Sequence, residues 1–224
     1  MRINKKITLP LLAAGALAGM TSAQAAVVSV DTFNNIVENF QSFNGLVTQG
    51  PQALSNGLSV TSTINSTIGA FQVDLADNGN WGAGNRFAGI GDLSFGSTAT
   101  DFNGSMTFNL GGAHFGGGAT FSIYQPTDGA RARITLDALD IFGAVLESTS
   151  FSFNSGDPFA SNVGTFRGFQ RNAGDLYGLR VSGDGFVLDN VSVAPVPLPA
   201  GLPLLLSGLA GVFGMLRRRP LATA

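Results

Sequence analysis

The side chains of this chain that are candidates for catalysis or binding are its carboxylates, one histidine and one tryptophan. The sequence contains no cysteine. The absence of cysteine excludes thiol nucleophiles, cysteine-based zinc sites and iron–sulfur clusters. His114 stands among glycines, which predicts a residue of a hairpin turn, and one histidine cannot form a multi-histidine metal site. No G-x-S-x-G motif accompanies it, so nothing supports a serine hydrolase.

Paired carboxylates would be the other route to catalysis, because glycosidases use two of them to flank a sugar bond. Glu38 and Glu147 are the only glutamates, and most aspartates adjoin Gly or Asn, as is typical of turns. Asp137 and Asp140 are three apart in or just after a predicted strand, which directs them to opposite faces. We therefore expect that the protein is not an enzyme. A cell-surface hydrolase acting on glycans is the alternative.

One aspartate interrupts an apolar strand pattern at residues 186–193. In "FVLDNVSV", a regular strand places Asp189 on the same face as Val187, Val191 and Val193. A carboxylate on an apolar face needs a partner or a cation. It could bind calcium, cap a turn, or pair with an arginine such as Arg180.

A polar, glycine-rich segment holds the single tryptophan. Trp81 lies in "NGNWGAGNRF" with Arg86 nearby, a composition that suits an aromatic platform for a sugar ligand. The alternative is a tryptophan folded back over the edge of the core. The preceding stretch "DLADNGN", residues 74–80, could bind an ion or form an exposed turn.

The N-terminus has the organisation of a secretory signal peptide over residues 1–25. Basic residues precede a mostly apolar stretch at 7–20. A small-x-small pattern with Ala23 and Ala25 then predicts cleavage after Ala25. The alternative is a retained N-terminal anchor.

Near the C-terminus, residues 198–216 carry no charge. As a helix this run would be about 28 Å long at about 1.5 Å per residue, close to the roughly 30 Å hydrocarbon core of a bilayer. Arg217, Arg218 and Arg219 follow and would remain in the cytoplasm. We therefore expect residues 26–194 to be an exported domain. A buried C-terminal helix of that domain is the alternative.

The charge of the exported part differs from that of the whole chain. Its six arginines stand against 14 acidic residues, giving a formal charge of −8, and both lysines lie in the signal peptide. A net-acidic domain without lysine is a poor binder of phosphates, so no nucleic-acid partner is expected. Its length suits one domain with its own core.

Strand patterns dominate the exported part. Period-two alternation occurs at residues 107–110, 120–123 and 133–138, and the glycine clusters at 111–112 and 116–118 predict turns between strands. Many short strands with regular turns favour an all-β, antiparallel sandwich.

A hairpin is predicted at the end of this domain. The pair Asp184-Gly185 separates two apolar runs, so residues 176–193 are expected to close as a hairpin.

The C-terminal segment resembles a known sorting signal. "VPLPA", an apolar run and "RRR" close to the terminus are similar to the V-P-L-P-A variant of the PEP-CTERM signal, although the Pro-Glu-Pro core is absent. On this resemblance residues 195–220 form the sorting motif, transmembrane helix and basic stop, and 221–224 a short tail. The recognition motif would consist of Val196, Pro197, Leu198, Pro199 and Ala200.

The resemblance also implies partners and a destination. Signal peptidase and an exosortase would process the chain, which would be membrane-anchored first and then reach the cell envelope or extracellular matrix. A non-catalytic role in contact with exopolysaccharide in biofilm is what the resemblance suggests.

A second resemblance covers the end of the domain. "ITLDALDIFGAVLES", "FRGFQRNAGDLYGLRVSG" and "FVLDNVSV" resemble the last strands of jelly-roll domains, which implies a jelly-roll-like sandwich. Carbohydrate-binding jelly rolls often hold a structural Ca²⁺ between a glutamate on an early strand and an aspartate on the last strand. Glu38 and Asp189 occupy roughly those places, and no other cofactor is expected.

Overall fold

The computed structural model describes residues 26–71, 85–94, 97–123, 133–152 and 164–195. In these ranges the chain is all-β, and its one helical element is a 3₁₀ turn at Ser55–Gly57. The strands are β1 Ala26–Val28, β2 Ile36–Glu38, β3 Leu46–Thr48, β4 Gln52–Ala53, β5 Ser59–Ser62, β6 Ser66–Phe71, β7 Arg86–Ile90, β8 Asn103–Ile123, β9 Arg133–Leu139, β10 Val145–Ser152, β11 Thr165–Gln170, β12 Leu176–Asp184 and β13 Phe186–Pro195.

Every strand pairing in the described part is antiparallel. The longest path through the hydrogen-bonded strands runs β10-β9-β12-β8-β13-β7-β6-β3, and the remaining strands branch from it. The prediction of an all-β antiparallel fold is therefore confirmed, and the arrangement is consistent with a β-sandwich.

Strand β8 is the organising element, because its two halves have different neighbours. The first half pairs with β5 and β12, and the second half pairs with β11 and β13. Asp184 lies opposite Asn103 at one end of β8, whereas Phe186, only two residues later, lies opposite Ile123 at the other end. The two ends of β8 must therefore lie close together, so the strand folds back on itself between its halves.

The glycine clusters do not form the predicted turns. Residues 111–112 and 116–118 both lie inside β8, and Gly111 has a φ of 74° at the point where the pairing register with β12 shifts. A left-handed glycine lets the strand bend without leaving its ladder. The prediction of a hairpin turn at His114 is wrong for the same reason, since His114 pairs with Leu176 and Pro195.

The predicted terminal hairpin is also wrong. A turn does occur at Gly185, whose φ is 59° and whose N–H donates to the carbonyl of Phe102 at 3.0 Å. However, β12 and β13 do not pair with each other, because β8 lies between them in the strand order. The turn carries the chain from one half of β8 to the other.

The main core contains buried side chains from both halves of β8. Met106 and Phe108 come from the first half, and Phe121 and Ile123 from the second. Ring contacts join distant elements: Phe121 lies 5.3 Å from Phe151 between ring centroids. This enclosure of apolar side chains supplies most of the driving force for folding.

The glycine-rich part of β8 allows β11 to approach closely. Gly118 lies directly opposite Gly168 of β11. A Cβ atom added at Gly118 would lie 2.5 Å from the carbonyl oxygen of Arg167 and 2.7 Å from the Cα of Gly168. The backbones occupy the space that a side chain would need.

The first and last described residues lie at the same end of the molecule. Gly116 pairs with Gln170 on one side and Ala194 on the other, and Gln170 pairs with Ala26. This is the end at which β8 bends, and we call it the exit end. In the described ranges, no helix has the length and apolar character needed to cross a membrane.

Candidate functional site

Two buried carboxylates lie where an early strand meets the last one. Glu38 ends β2, which pairs with β13 through Val191, and Asp189 precedes that position on β13. Both side chains are only 2% exposed. We call Glu38 and Asp189 the carboxylate pair.

The local backbone holds Glu38 in place. Its Oε1 accepts a hydrogen bond from the N–H of Phe40 at 2.6 Å, and its Oε2 accepts one from the N–H of Ser55 at 2.7 Å. Phe40 is fully buried yet has a φ of 56°, a conformation that is uncommon for a bulky residue. The strained turn directs the N–H of Phe40 at the carboxylate.

Asp189 is held from two directions. Its Oδ1 accepts from the N–H of Asn190 at 2.7 Å, and its Oδ2 accepts from the side-chain amide of Asn85 at 2.9 Å. The amide oxygen of Asn85 in turn accepts from Gln41 at 2.8 Å. Asn85 was missed in the sequence, because the residue it contacts is 104 positions away.

A bulge on β13 decides where Asp189 points. Asp189 lies opposite Thr120 and Ser192 opposite Gly118, so β13 has one extra residue, and Asn190 has a φ of 51°. The extra residue reverses the alternation of side chains. The expectation that Val191 and Val193 share the face of Asp189 is therefore wrong; they join the main core, and Val187 joins a smaller cluster.

Asp189 is a weaker acid in the folded protein than an exposed aspartate, chiefly because it is buried. Burial raises the pKa of Asp189 to about 6. Hydrogen bonds from Asn85 and Asn190 act to lower this pKa, and the charge of Glu38 acts to raise it further. The fold therefore makes ionisation of Asp189 less favourable than in the unfolded chain, a cost that a bound cation would offset.

No arginine among the described residues forms an ion pair with the carboxylate pair. Arg180, the partner suggested by the sequence, pairs instead with Asp137 at 2.7 Å. Arg171 contacts Asp175 at 2.6 Å and Glu147 at 3.4 Å. Among the described residues, the hydrogen bonds to the carboxylate pair therefore come from N–H donors.

The donor set of this site fits a hard cation. Ca²⁺ prefers about six to eight oxygen ligands, supplied by carboxylates, amide oxygens, carbonyls and water. Each carboxylate oxygen here accepts one hydrogen bond and so keeps further lone-pair capacity. Within the described ranges, no group of three or more His, Asp or Glu side chains is placed to hold a metal.

Arg86 lies beside this site without entering it. Its guanidinium donates to the amide oxygen of Asn44 at 2.9 Å and to the carbonyl of Gly69 at 3.3 Å. It also lies 3.6 Å from the centroid of the Phe71 ring, a cation–π contact. Trp81, its predicted companion, and residues 74–80 lie outside the described residues.

His114 has one hydrogen bond and one unsatisfied nitrogen. Its Nε2 lies 3.2 Å from the carbonyl oxygen of Leu110, and its Nδ1 is buried without a hydrogen-bond partner among the described residues. The neighbouring strand residues Leu176 and Pro195 are apolar. Neither of these two residues offers a nucleophile or a carboxylate to the ring.

A polar cleft of about 370 Å³ lies apart from the carboxylate pair. Its lining mixes amide, hydroxyl and carboxylate side chains with two apolar residues. The lining residues are Gln49, Thr63, Ile64, Asn65, Asp92, Thr98, Ala99, Thr100 and Asp101. The amide of Gln49 donates to Asn65 at 3.2 Å, so part of the lining is already ordered.

Comparison with known proteins leaves the chain without a family assignment. No protein-family model matches it, and no curated protein matches it. The predicted cleavage residues Ala23 and Ala25, the motif at 196–200 and the basic stop at 217–219 lie outside the described residues.

Proposed function

We propose that the protein is a non-catalytic exported protein of the cell surface or extracellular matrix, sorted by an exosortase-type system. The carrying observation is the C-terminal order of "VPLPA", a run of uncharged residues at 198–216 and three arginines. The leader pattern at 1–25 agrees with this route. The all-β fold agrees with the narrower proposal of a jelly-roll-like sandwich.

The intact mass of the protein recovered from its own cells tests the sorting proposal. We expect a species that begins near Ala26 and ends between Val196 and Ala200, because signal peptidase and an exosortase would remove both ends. Additional mass at the new C-terminus would indicate covalent attachment. A mass that retains Arg217, Arg218 and Arg219 would show an ordinary membrane anchor and would contradict exosortase processing.

A structural calcium ion at the carboxylate pair is part of the proposal. Glu38 and Asp189 would supply the charged ligands. The cation would compensate two buried charges and join the end of β2 to β13. The burial of both carboxylates and the raised pKa of Asp189 support the proposal, because a buried carboxylate without a compensating partner is costly.

Contact with exopolysaccharide is the third part. The polar cleft suits a hydroxyl-rich ligand, because amides and carboxylates such as those of Asn65, Asp92 and Asp101 donate to or accept from sugar hydroxyls. Its three threonines add hydroxyl groups without positive charge. We therefore place the polysaccharide contact in this cleft.

Affinity electrophoresis through gels that contain polysaccharide from the producing cells tests this contact. Retardation of the wild-type protein is expected, and Gln49→Ala should weaken binding about threefold to tenfold, the effect of one lost hydrogen bond. Gln52→Ala is the matched control, because Gln52 is the same residue type and does not line the cleft. Equal retardation of both variants would place the contact elsewhere.

A further inference from the structure

The tip of the β9–β10 hairpin is apolar and exposed. Ile141 is 61% exposed and Phe142 91% exposed, and Val145 at the start of β10 is 48% exposed. Exposed apolar residues that adjoin one another in this way mark a contact surface more often than isolated ones do. We call Ile141, Phe142 and Val145 the apolar tip.

The turn beneath the tip is well defined. The Oδ1 of Asp140 accepts hydrogen bonds from the N–H groups of Phe142 and Ala144, both at 2.8 Å. Gly143 has a φ of 79°, which a glycine adopts without strain. The turn therefore presents Phe142 outward in a fixed backbone conformation and directs the nearest carboxylate into the turn itself.

Strand register places the tip at the exit end. Leu139 lies opposite Gly178 on β12, so two further residues bring Ile141 level with Leu176. Leu176 lies opposite His114, and His114 also lies opposite Pro195. The apolar tip and the last described residue of β13 are thus at the same level along the strands.

A contact across the molecule supports this placement. The guanidinium of Arg171 lies 3.4 Å from the carboxylate of Glu147, near the tip on β10. The backbone N–H of Arg171 donates to the carbonyl of Phe115 at 2.7 Å, and Phe115 follows His114 on β8. Arg171 therefore links the base of the hairpin to the strand that pairs with Pro195.

The uncharged run at 198–216 begins only three residues after Pro195. Three residues reach at most about 10 Å, so a run that enters a bilayer at Leu198 keeps the exit end at the bilayer surface. The apolar tip then faces the same surface. Aromatic and aliphatic side chains at that depth are stabilised by lipid contact.

We propose that the apolar tip inserts into the exported-side surface of the membrane that holds the tail, so that the domain is attached at two points. This inference rests on the proposed membrane-anchored precursor. A second copy of the chain is a poorer occupant, because a few side chains, with about 150–250 Å² for the phenylalanine, supply far less than the roughly 1,600 Å² of a stable interface.

The test uses protein that retains its tail, reconstituted in phosphatidylcholine vesicles with bromine on the upper acyl chain. In a Trp81→Phe background, Phe142→Trp provides the only tryptophan. We expect its emission to shift to the blue and to lose most of its intensity to bromine. Leu46→Trp is the matched control, because Leu46 is an exposed apolar residue far from the exit end.

The control position follows from the pairing. Leu46 pairs with Ile68, which pairs with Ala88, and Ala88 pairs with Leu188 opposite Phe121. That row is seven residues along β8 from His114, or about 23 Å at about 3.3 Å per residue. A tryptophan at position 46 should therefore keep its emission in brominated vesicles.

Alkaline carbonate extraction of the same vesicles tests the membrane-anchored precursor separately from the inserted apolar tip. If the protein stays with the vesicles while emission at position 142 matches that in unbrominated lipid, the inserted tip is wrong and the anchored precursor stands. If carbonate releases the protein, the anchored precursor and the inference both fail. Melting curves that match the Trp81→Phe parent establish that both variants fold.

Discussion

Millimolar calcium should raise the melting temperature of the wild-type protein by about 5 to 10 °C at pH 7.5. A ligand at about 100 times its dissociation constant adds about 2.7 kcal/mol of stability, and a domain of this size gains about 2 to 4 °C per kcal/mol. The gain should shrink at pH 5, because protons then compete for Asp189, whose pKa burial raises to about 6. Differential scanning calorimetry with calcium or chelator measures both effects.

Asp189 also makes the folding stability depend on pH in the absence of calcium. Because the pKa of Asp189 is raised from its ordinary 3.8 to about 6, the folded state holds the proton more tightly than the unfolded chain does. The resulting stability is complete below about pH 4 and is lost as pH rises through 6, in total roughly 3 kcal/mol.

Asp189→Asn isolates this contribution, since other carboxyls change stability in the opposite direction over the same range. The pKa of Asp175, for example, is lowered by its hydrogen bond with Arg171. In chelator, we expect the folding stability of Asp189→Asn to rise relative to that of the wild type as pH increases from 4 to 7. This variant should also lose the increase in melting temperature that calcium gives. Asp101→Asn, a change at an exposed aspartate, should keep that response. If calcium leaves the wild-type melting temperature unchanged at pH 7.5, the metal proposal is refuted.

Gly118→Ala should cost about 3 kcal/mol of folding stability, the upper part of the usual range for overpacking. The new methyl group would lie 2.5 Å from the carbonyl oxygen of Arg167 and 2.7 Å from the Cα of Gly168. Both atoms belong to the backbone of β11, so no side chain can rotate away. Urea unfolding followed by circular dichroism measures the loss.

Gly112→Ala is the control within the same glycine-rich stretch. A Cβ atom at Gly112 meets nothing within 4 Å, and its φ is not in the left-handed region. We expect a change within about 0.5 kcal/mol, or a small gain from the stiffer unfolded chain. Equal stabilities of the two variants would mean that β8 and β11 are farther apart than described.

Local patterns predicted the strands better than their connections. The alternation at 133–138 corresponds to β9, Arg133–Leu139, and the all-β class followed from such segments. The alternation at 107–110 and 120–123 was also strand, but the glycines between them bend one strand instead of separating two. A glycine cluster has the same local signature in a turn and in a bend, and only pairing with β12 and β13 distinguishes them.

The carboxylate pair was partly accessible from sequence. The hydrophobic context of Asp189 correctly marked a carboxylate that is buried. The bulge at Asn190 was not foreseen, because one left-handed asparagine leaves no periodic signal and yet reverses the faces of all later residues. Asn85 could not be assigned a role, since its contact with Asp189 depends on how β7 pairs with β13.

The position of β13 has a mechanical consequence. Tension on the C-terminal segment would act along the axis of β13, which is paired with β8, β7 and β2. Hydrogen bonds between antiparallel strands lie across that axis, so such a load stretches many of them together instead of opening them one by one. If the protein is held by its C-terminal segment in flowing liquid, the force would thus load β13 in shear. A sheet resists rupture most in this direction.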